Sequence, residues 1–133
     1  IVHPDRSYHV LNEMVEHVKD IVRQLRLPFR ILRLCSGDLG FTSALTFDFE
    51  VYSTAQERWL EVSSVSNFET YQSNRLKLRF KKGKDKPQLA HTLNGSALAL
   101  PRIMAALIEN NQDEHGDILI PEVLVKYTGF DKI

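Results

Sequence analysis

The stretch Thr92-Leu93-Asn94-Gly95-Ser96-Ala97-Leu98-Ala99-Leu100-Pro101-Arg102 gathers residue types that suit anion binding. An apolar-to-small run leads into Pro101, which favours the first turn of a helix because its missing N–H has no intrahelical partner there anyway. Arg102 then falls in that first turn, where free backbone N–H groups and a guanidinium attract the same negative charge. Gly95 would let a ligand come close to the backbone. The same pattern also describes a plain strand–helix corner with a surface arginine, which is the commoner case.

Glu61-Val62-Ser63-Ser64 offers a second chemistry. A carboxylate and a hydroxyl are oxygen ligands of the kind Mg²⁺ accepts beside phosphates and water. On a regular strand Glu61 and Ser64 face opposite sides. Joint coordination therefore needs a bulge or turn near Ser63; without one, the stretch is a solvated polar strand end. Asp48 and Glu50 share a strand face with Thr46, a pairing open to acid–base work or metal binding. The favoured reading of these three is the wet face of a half-exposed sheet. Arg75, Lys77, Arg79, Lys81, Lys82, Lys84 and Lys86 are interrupted by one acid, Asp85. Such a run could follow a phosphate backbone, but with Phe80 as its one ring a solvated hairpin is favoured. His3, His9, His17, His91 and His115 show no metal-ligand spacing. Cys35 reads as a small buried hydrophobe.

These residues need elements to hold them. Leu11, Met14, Val18, Ile21, Val22 and Leu25 recur at helical steps, predicting a helix over Ser7 to Leu25 with Ser7 as N-cap. Pro28 stops it. Arg30 to Leu34 alternates as a strand, and Ser36 to Gly40 reads as a turn. Leu45 to Tyr52 alternates cleanly, with Leu45, Phe47, Phe49 and Val51 on one face. Trp59 to Ser63 is a short strand, Phe68 to Leu78 a helix, Lys81 to Pro87 a basic loop and Leu89 to Leu93 a strand. Pro101 to Asn110 is the last helix, and Ile118 to Leu124 closes the domain. Short links between strands favour antiparallel pairing, so the expected fold is α+β, an antiparallel sheet flanked by helices.

Composition sets the limits. The chain has 133 residues, 43% hydrophobic and 26% charged, which is one globular domain. Lys and Arg number 17 and Asp and Glu number 17, so the chain as a whole lacks the cation surplus of a dedicated duplex-binding module. A lone cysteine forms no internal disulfide and fits a reducing compartment. No apolar run nears the roughly 20 residues of a membrane span, and no signal segment opens the chain. It begins Ile1-Val2-His3-Pro4, without Met, as a processed or excised protein does.

Taken in order, FRILRLCSGDLGF, TFDFEVY, WLEVSSVSNFETYQSNR, HTLNGSALALPR, ALIENNQ and ILIPEVLVKY resemble the C-terminal part of the catalytic domain of bacterial-type seryl-tRNA synthetases. HTLNGSALALPR is similar to that family's class II motif 3. The resemblance covers Phe29 to Tyr127 and implies two-step chemistry. L-serine and ATP give seryl-adenylate and pyrophosphate, then the seryl group passes to tRNA(Ser). It implies that Arg102 holds the ATP γ-phosphate, that Glu61 and Ser64 hold Mg²⁺ and ATP, and that the Glu61-Val62-Ser63-Ser64 backbone lines the nucleotide pocket. It assigns Ser96, with Asn94 beside it, to the serine substrate. Two positions depart from the family, Asn74 where an arginine is common and Val65 where a cysteine is common.

The family's motif 1, Thr-x-Glu serine loop, motif 2 and N-terminal tRNA-binding arm have no counterpart in residues 1–133. The expectation is a single-domain C-terminal fragment, inactive or nearly so alone, of a cytoplasmic homodimer that does not involve a membrane. Two other functions share these features. One is a synthetase-like ligase that charges a carrier protein. The other is a non-catalytic binding module, against which the joint presence of Glu61, Ser64, Ser96 and Arg102 counts.

Overall fold

A computed structural model describes residues 1–133. A 3₁₀ turn, Pro4–Arg6, leads into α1, Ser7–Gln24. There follow β1 (Phe29–Arg33), β2 (Leu45–Ser53), β3 (Arg58–Glu69), α2 (Tyr71–Leu76), β4 (Arg79–Phe80), β5 (Gln88–Leu89), β6 (Thr92–Gly95), α3 (Leu100–Asn110) and α4 (Glu122–Thr128). The main sheet has four strands in the order β1-β2-β3-β6, all antiparallel, and β4-β5 form a separate ribbon. No helix is long and apolar enough to cross a membrane.

One face of the sheet carries the core. Leu11, Val15, Val18 and Val22 of α1 lie against Phe49, Val51, Val62 and Val65, and α3 adds Ile103 and Ala106. Complete burial of a side chain such as Leu11 or Phe49 contributes about 1.5–3 kcal/mol. Both long helices thus cover the same face, leaving the opposite one to polar side chains.

Several expectations change. Ser7 is the first residue of α1 rather than its cap; its hydroxyl donates to the Pro4 carbonyl at 3.0 Å and lies 2.8 Å from His91 Nδ1. Val15 replaces Ile21 in the buried stripe, and Ile21 is exposed. β3 runs on through Ser64 to Glu69, so the helix expected from Phe68 begins at Tyr71 and ends at Leu76. Leu89 to Leu93 divides between the ribbon and the main sheet, with His91 bridging back to Val2. The C-terminal segment contains α4, which the sequence reading did not anticipate. Cys35 is exposed rather than buried, in a turn with its Sγ 3.5 Å from Asp38 Oδ2. Thr46 is not wet: it is buried and hydrogen-bonded to Ser66 at 2.7 Å.

Candidate functional site

The polar face of the sheet is organised by one irregularity in β3. Phe49 pairs with Ser63 and Glu50 pairs with Glu61, so Val62 is an extra residue without a partner on β2. Such a bulge resets the alternation of side chains. Val62 and Ser63 are both buried. Glu61 and Ser64 come onto the same face, Glu61 opposite Glu50 and Ser64 opposite Asp48. Asp48 and Glu50 already share that face through the two-residue period of β2. The irregularity that joint action of Glu61 and Ser64 requires is present, one residue before Ser63.

The same four residues of β3 anchor the β6–α3 corner. The Ser96 N–H donates to the Ser64 carbonyl at 3.2 Å, and the Ala99 N–H to the Val62 carbonyl at 2.7 Å. The Ser63 hydroxyl donates to the Ser96 carbonyl. Arg102 Nη1 donates to the Glu61 carbonyl at 2.5 Å. A guanidinium has five N–H donors in a fixed fork, so the rest of this exposed group stays open to an anion. Pro101 lies in the first turn of α3, whose cap, Ala99, offers no side-chain acceptor to the free N–H groups there.

Electrostatics single out two of the three acids. Burial pushes the Glu61 carboxyl above its ordinary value, Asp48 pushes further, and Glu50 adds to this, while the Arg102 guanidinium pulls the other way. Glu50 already has a cation, with Arg30 Nε 2.5 Å from its Oε2 and the Arg30 guanidinium 4.8 Å over the Trp59 ring. Asp48 Oδ1, in contrast, is buried and has no hydrogen-bond partner. An unpaired buried carboxylate oxygen is costly, and a cation near Glu61 and Ser64 would relieve it. The donors are hard oxygens, as Mg²⁺ requires. No three His, Cys, Asp or Glu side chains converge tightly enough to hold a metal alone. That fits an ion held by one or two carboxylates together with phosphate and water.

Asn94 on the edge strand β6 and Ser96 just beyond its end are exposed, Asn94 pairing with Ser66 of the polar face. Gly95 does something other than admit a ligand. A Cβ there would meet Met14 Cε at 3.0 Å and the Val65 methyls at 3.5 Å, so its small size serves the contact with α1. Of the basic run, Arg75 lies in α2, Lys77 is its C-cap, Arg79 is on β4, and Lys81, Lys82, Lys84 and Lys86 are in the loop between β4 and β5. Arg30 is the site-face residue that sequence reasoning missed; its signal was the charge alternation of β1 opposite the acids of β2.

The family model of the tRNA synthetase class II core domain (G, H, P, S and T) matches residues 1–111. The serine–tRNA ligase of Salinibacter ruber is 54% identical over 134 residues, spanning 100% of this chain and 31% of that protein. That of Hydrogenovibrio crunogenus is 50% identical over 129 residues, 97% of this chain and 30% of that protein. Among solved structures, seryl-tRNA synthetase from Pyrococcus horikoshii complexed with ATP aligns with a TM-score of 0.96 at 37% identity, over 99% of this chain and 30% of that one. The cytoplasmic serine–tRNA ligase of Naegleria fowleri in complex with AMP aligns at 0.90 with 28% identity, over 98% of this chain and 32% of that one. The chain therefore spans about a third or less of the length of each of these relatives.

Proposed function

The chain belongs to the class II tRNA synthetase core-domain family, and on that premise we propose that it is the motif 3-bearing, C-terminal part of the catalytic core of a serine–tRNA ligase. The whole enzyme is a cytoplasmic homodimer that joins L-serine to ATP, releasing pyrophosphate, and passes the seryl group from the adenylate to tRNA(Ser). The observation that carries this reading is the bulge at Val62. It aligns Glu61 and Ser64 on one face beneath the α3 corner, with Arg102 bonded to the Glu61 carbonyl.

Attack of the serine carboxylate on the ATP α-phosphate needs positioning and charge neutralisation rather than a protein nucleophile. Arg102 takes the γ-phosphate with the guanidinium edge left open by its bond to Glu61. The backbone of Val62 and Ser63 lines the nucleotide, and the anchored Ser96, with Asn94, addresses the serine. Glu61 and Ser64 hold Mg²⁺, with Asp48 beside them; when bound, the ion supplies charge neutralisation for the phosphates. The binding groups of motifs 1 and 2 lie outside residues 1–133 on this reading.

The test is serine-dependent ATP–pyrophosphate exchange in the full-length enzyme. Arg102→Ala is expected to lower kcat/KM by about 10² to 10³, as loss of one transition-state donor does. Exchange at the wild-type rate overturns the assignment of Arg102.

A further inference from the structure

α3 carries Arg102 in its first turn and Glu109 and Asn110 in its last. Of its side chains only Ile103 and Ala106 are buried. Apolar burial is non-directional, so these two residues fix the slide and roll of the 11-residue helix poorly. At the N-terminal end that freedom is removed by the bonds of Ala99 and Arg102 to the β3 carbonyls of Val62 and Glu61.

The C-terminal end is held by the tip of the hairpin that joins β2 to β3. The Ser53 hydroxyl donates to Glu109 Oε2 at 2.6 Å, and the Ala55 N–H reaches the same oxygen at 3.4 Å. Ser53 is fully buried, and its oxygen also accepts the Gln56 N–H at 3.2 Å, so one hydroxyl links the carboxylate to the turn. The Thr54 hydroxyl donates to the Glu109 carbonyl at 3.2 Å. That carbonyl is one of those a helix end leaves without an intrahelical partner. Asn110 Nδ2 donates to the Tyr52 carbonyl at 2.9 Å and, within the helix, to the Ala106 carbonyl at 2.8 Å. Glu109 is half-buried and forms no ion pair. Its charge is committed to the hairpin, where a charge-assisted hydrogen bond is about twice as strong as a neutral one.

The two strands of this hairpin are those that carry Asp48, Glu50, Glu61 and Ser64. Arg102 and Glu109 are about two helical turns apart, so they project from the same side of α3. We propose that Glu109 is a positioning residue for Arg102, its bonds to Ser53 and Ala55 holding the far end of α3 so that the guanidinium stays aligned with the phosphate it takes. The inference rests on the reading of Arg102 as a phosphate ligand. A helix released at its C-terminal end slides or rolls about the Ala99 anchor, and a displacement of about 1 Å at a binding group costs up to about 10² in rate. Ser96 is not carried along. Its N–H donates to the Ser64 carbonyl and its carbonyl accepts from the Ser63 hydroxyl, so it is tied to β3 rather than to α3.

The test is serine-dependent pyrophosphate exchange in the full-length enzyme, run as a double-mutant cycle of Glu109→Ala and Arg102→Ala beside thermal melts. Glu109→Ala is expected to lower kcat/KM for ATP about tenfold and to leave KM for serine unchanged. In the Arg102→Ala background the same change is expected to add nothing, because residues that act through one another are not additive. Ser53→Ala breaks the same bond from the hairpin side with little change in volume. It is expected to give the same pattern, so the cycle does not depend on one variant folding. Three results overturn the inference. One is ATP efficiency at the wild-type level in both Glu109→Ala and Ser53→Ala. Another is a KM for serine that rises as much as that for ATP. The third is losses that multiply in the double variants, which mark a residue that only stabilises the fold. Multiplied losses remove this inference alone, whereas wild-type exchange in Arg102→Ala removes the phosphate role of Arg102 and this inference with it.

Discussion

At position 61 a carboxylate is held beside two others by backbone register rather than by choice of partner. Glu61 faces Glu50 and neighbours Asp48, and both raise its proton affinity beyond what burial does. Arg102 offsets only part of this. A carboxyl with a raised folded-state pKa supports the fold fully below its unfolded pKa and loses that support as pH rises through the folded value. Glu61→Gln removes the charge and hence the penalty. The variant is expected to melt above the wild type at pH 7, with the difference shrinking towards pH 4, where the unfolded carboxyl is itself largely protonated. Circular-dichroism melts of both proteins without Mg²⁺ or ATP read this directly. An equal melting temperature at pH 7 would show that the three acids do not repel one another in the free protein. In the full enzyme the same change removes the proposed ion ligand, so stability and activity are expected to move in opposite directions.

Among the elements, those with a clean period were legible and β3 was not. Leu11 to Val22 and Leu45 to Val51 repeat at helical and strand spacing, and α1 and β2 stand within a residue or two of where that spacing puts them. β3 is read short because Ser63, Ser64, Ser66 and Asn67 lack the apolar alternation of a strand. The structure instead buries Ser63, Ser66 and Asn67 between neighbouring elements of the same chain. The bulge cannot be read from composition at all, since only the pairing of Phe49 and Glu50 reveals the unpaired Val62. The corner from Asn94 to Arg102 was legible as a corner, because Pro101 falls in the first turn of α3, which starts one residue earlier than expected, at Leu100. The role of Gly95 was not, because Met14, its neighbour, comes from α1. Gly95→Val places two further methyl groups against Val65 and Met14, an overpacking expected to cost about 1–3 kcal/mol. Gly95→Ala is expected to cost less, since the Met14 terminus is flexible. Urea unfolding of the pair measures the difference, and equal stability of wild type and Gly95→Val would place Gly95 in open space.

For the molecule as a whole, burial is uneven in a way that bears on how the chain behaves in solution. The core between α1, α3 and the sheet is closed, yet α3 turns a second apolar stripe outward, Leu100 at 76%, Met104 at 61% and Ile108 at 42% exposure. These residues are four apart, so they form one continuous ridge. Beside them an apolar hollow of about 320 Å³ opens between α3 and the C-terminal segment, lined by Leu119, Phe130 and Ile133 among others. β6 leaves one edge of the sheet unpaired. A ridge, a hollow and a free edge together exceed the scattered apolar exposure of an ordinary monomer surface. The chain by itself is therefore expected to self-associate reversibly as its concentration rises. Met104→Glu puts a charge at the centre of the ridge and is expected to weaken that association at least tenfold, since burying a methionine contributes about 1.5–3 kcal/mol. Sedimentation velocity over a concentration series separates the cases. A wild-type chain that stays monomeric throughout, or a Met104→Glu chain that associates as before, would mean that the ridge takes no part in contacts between copies.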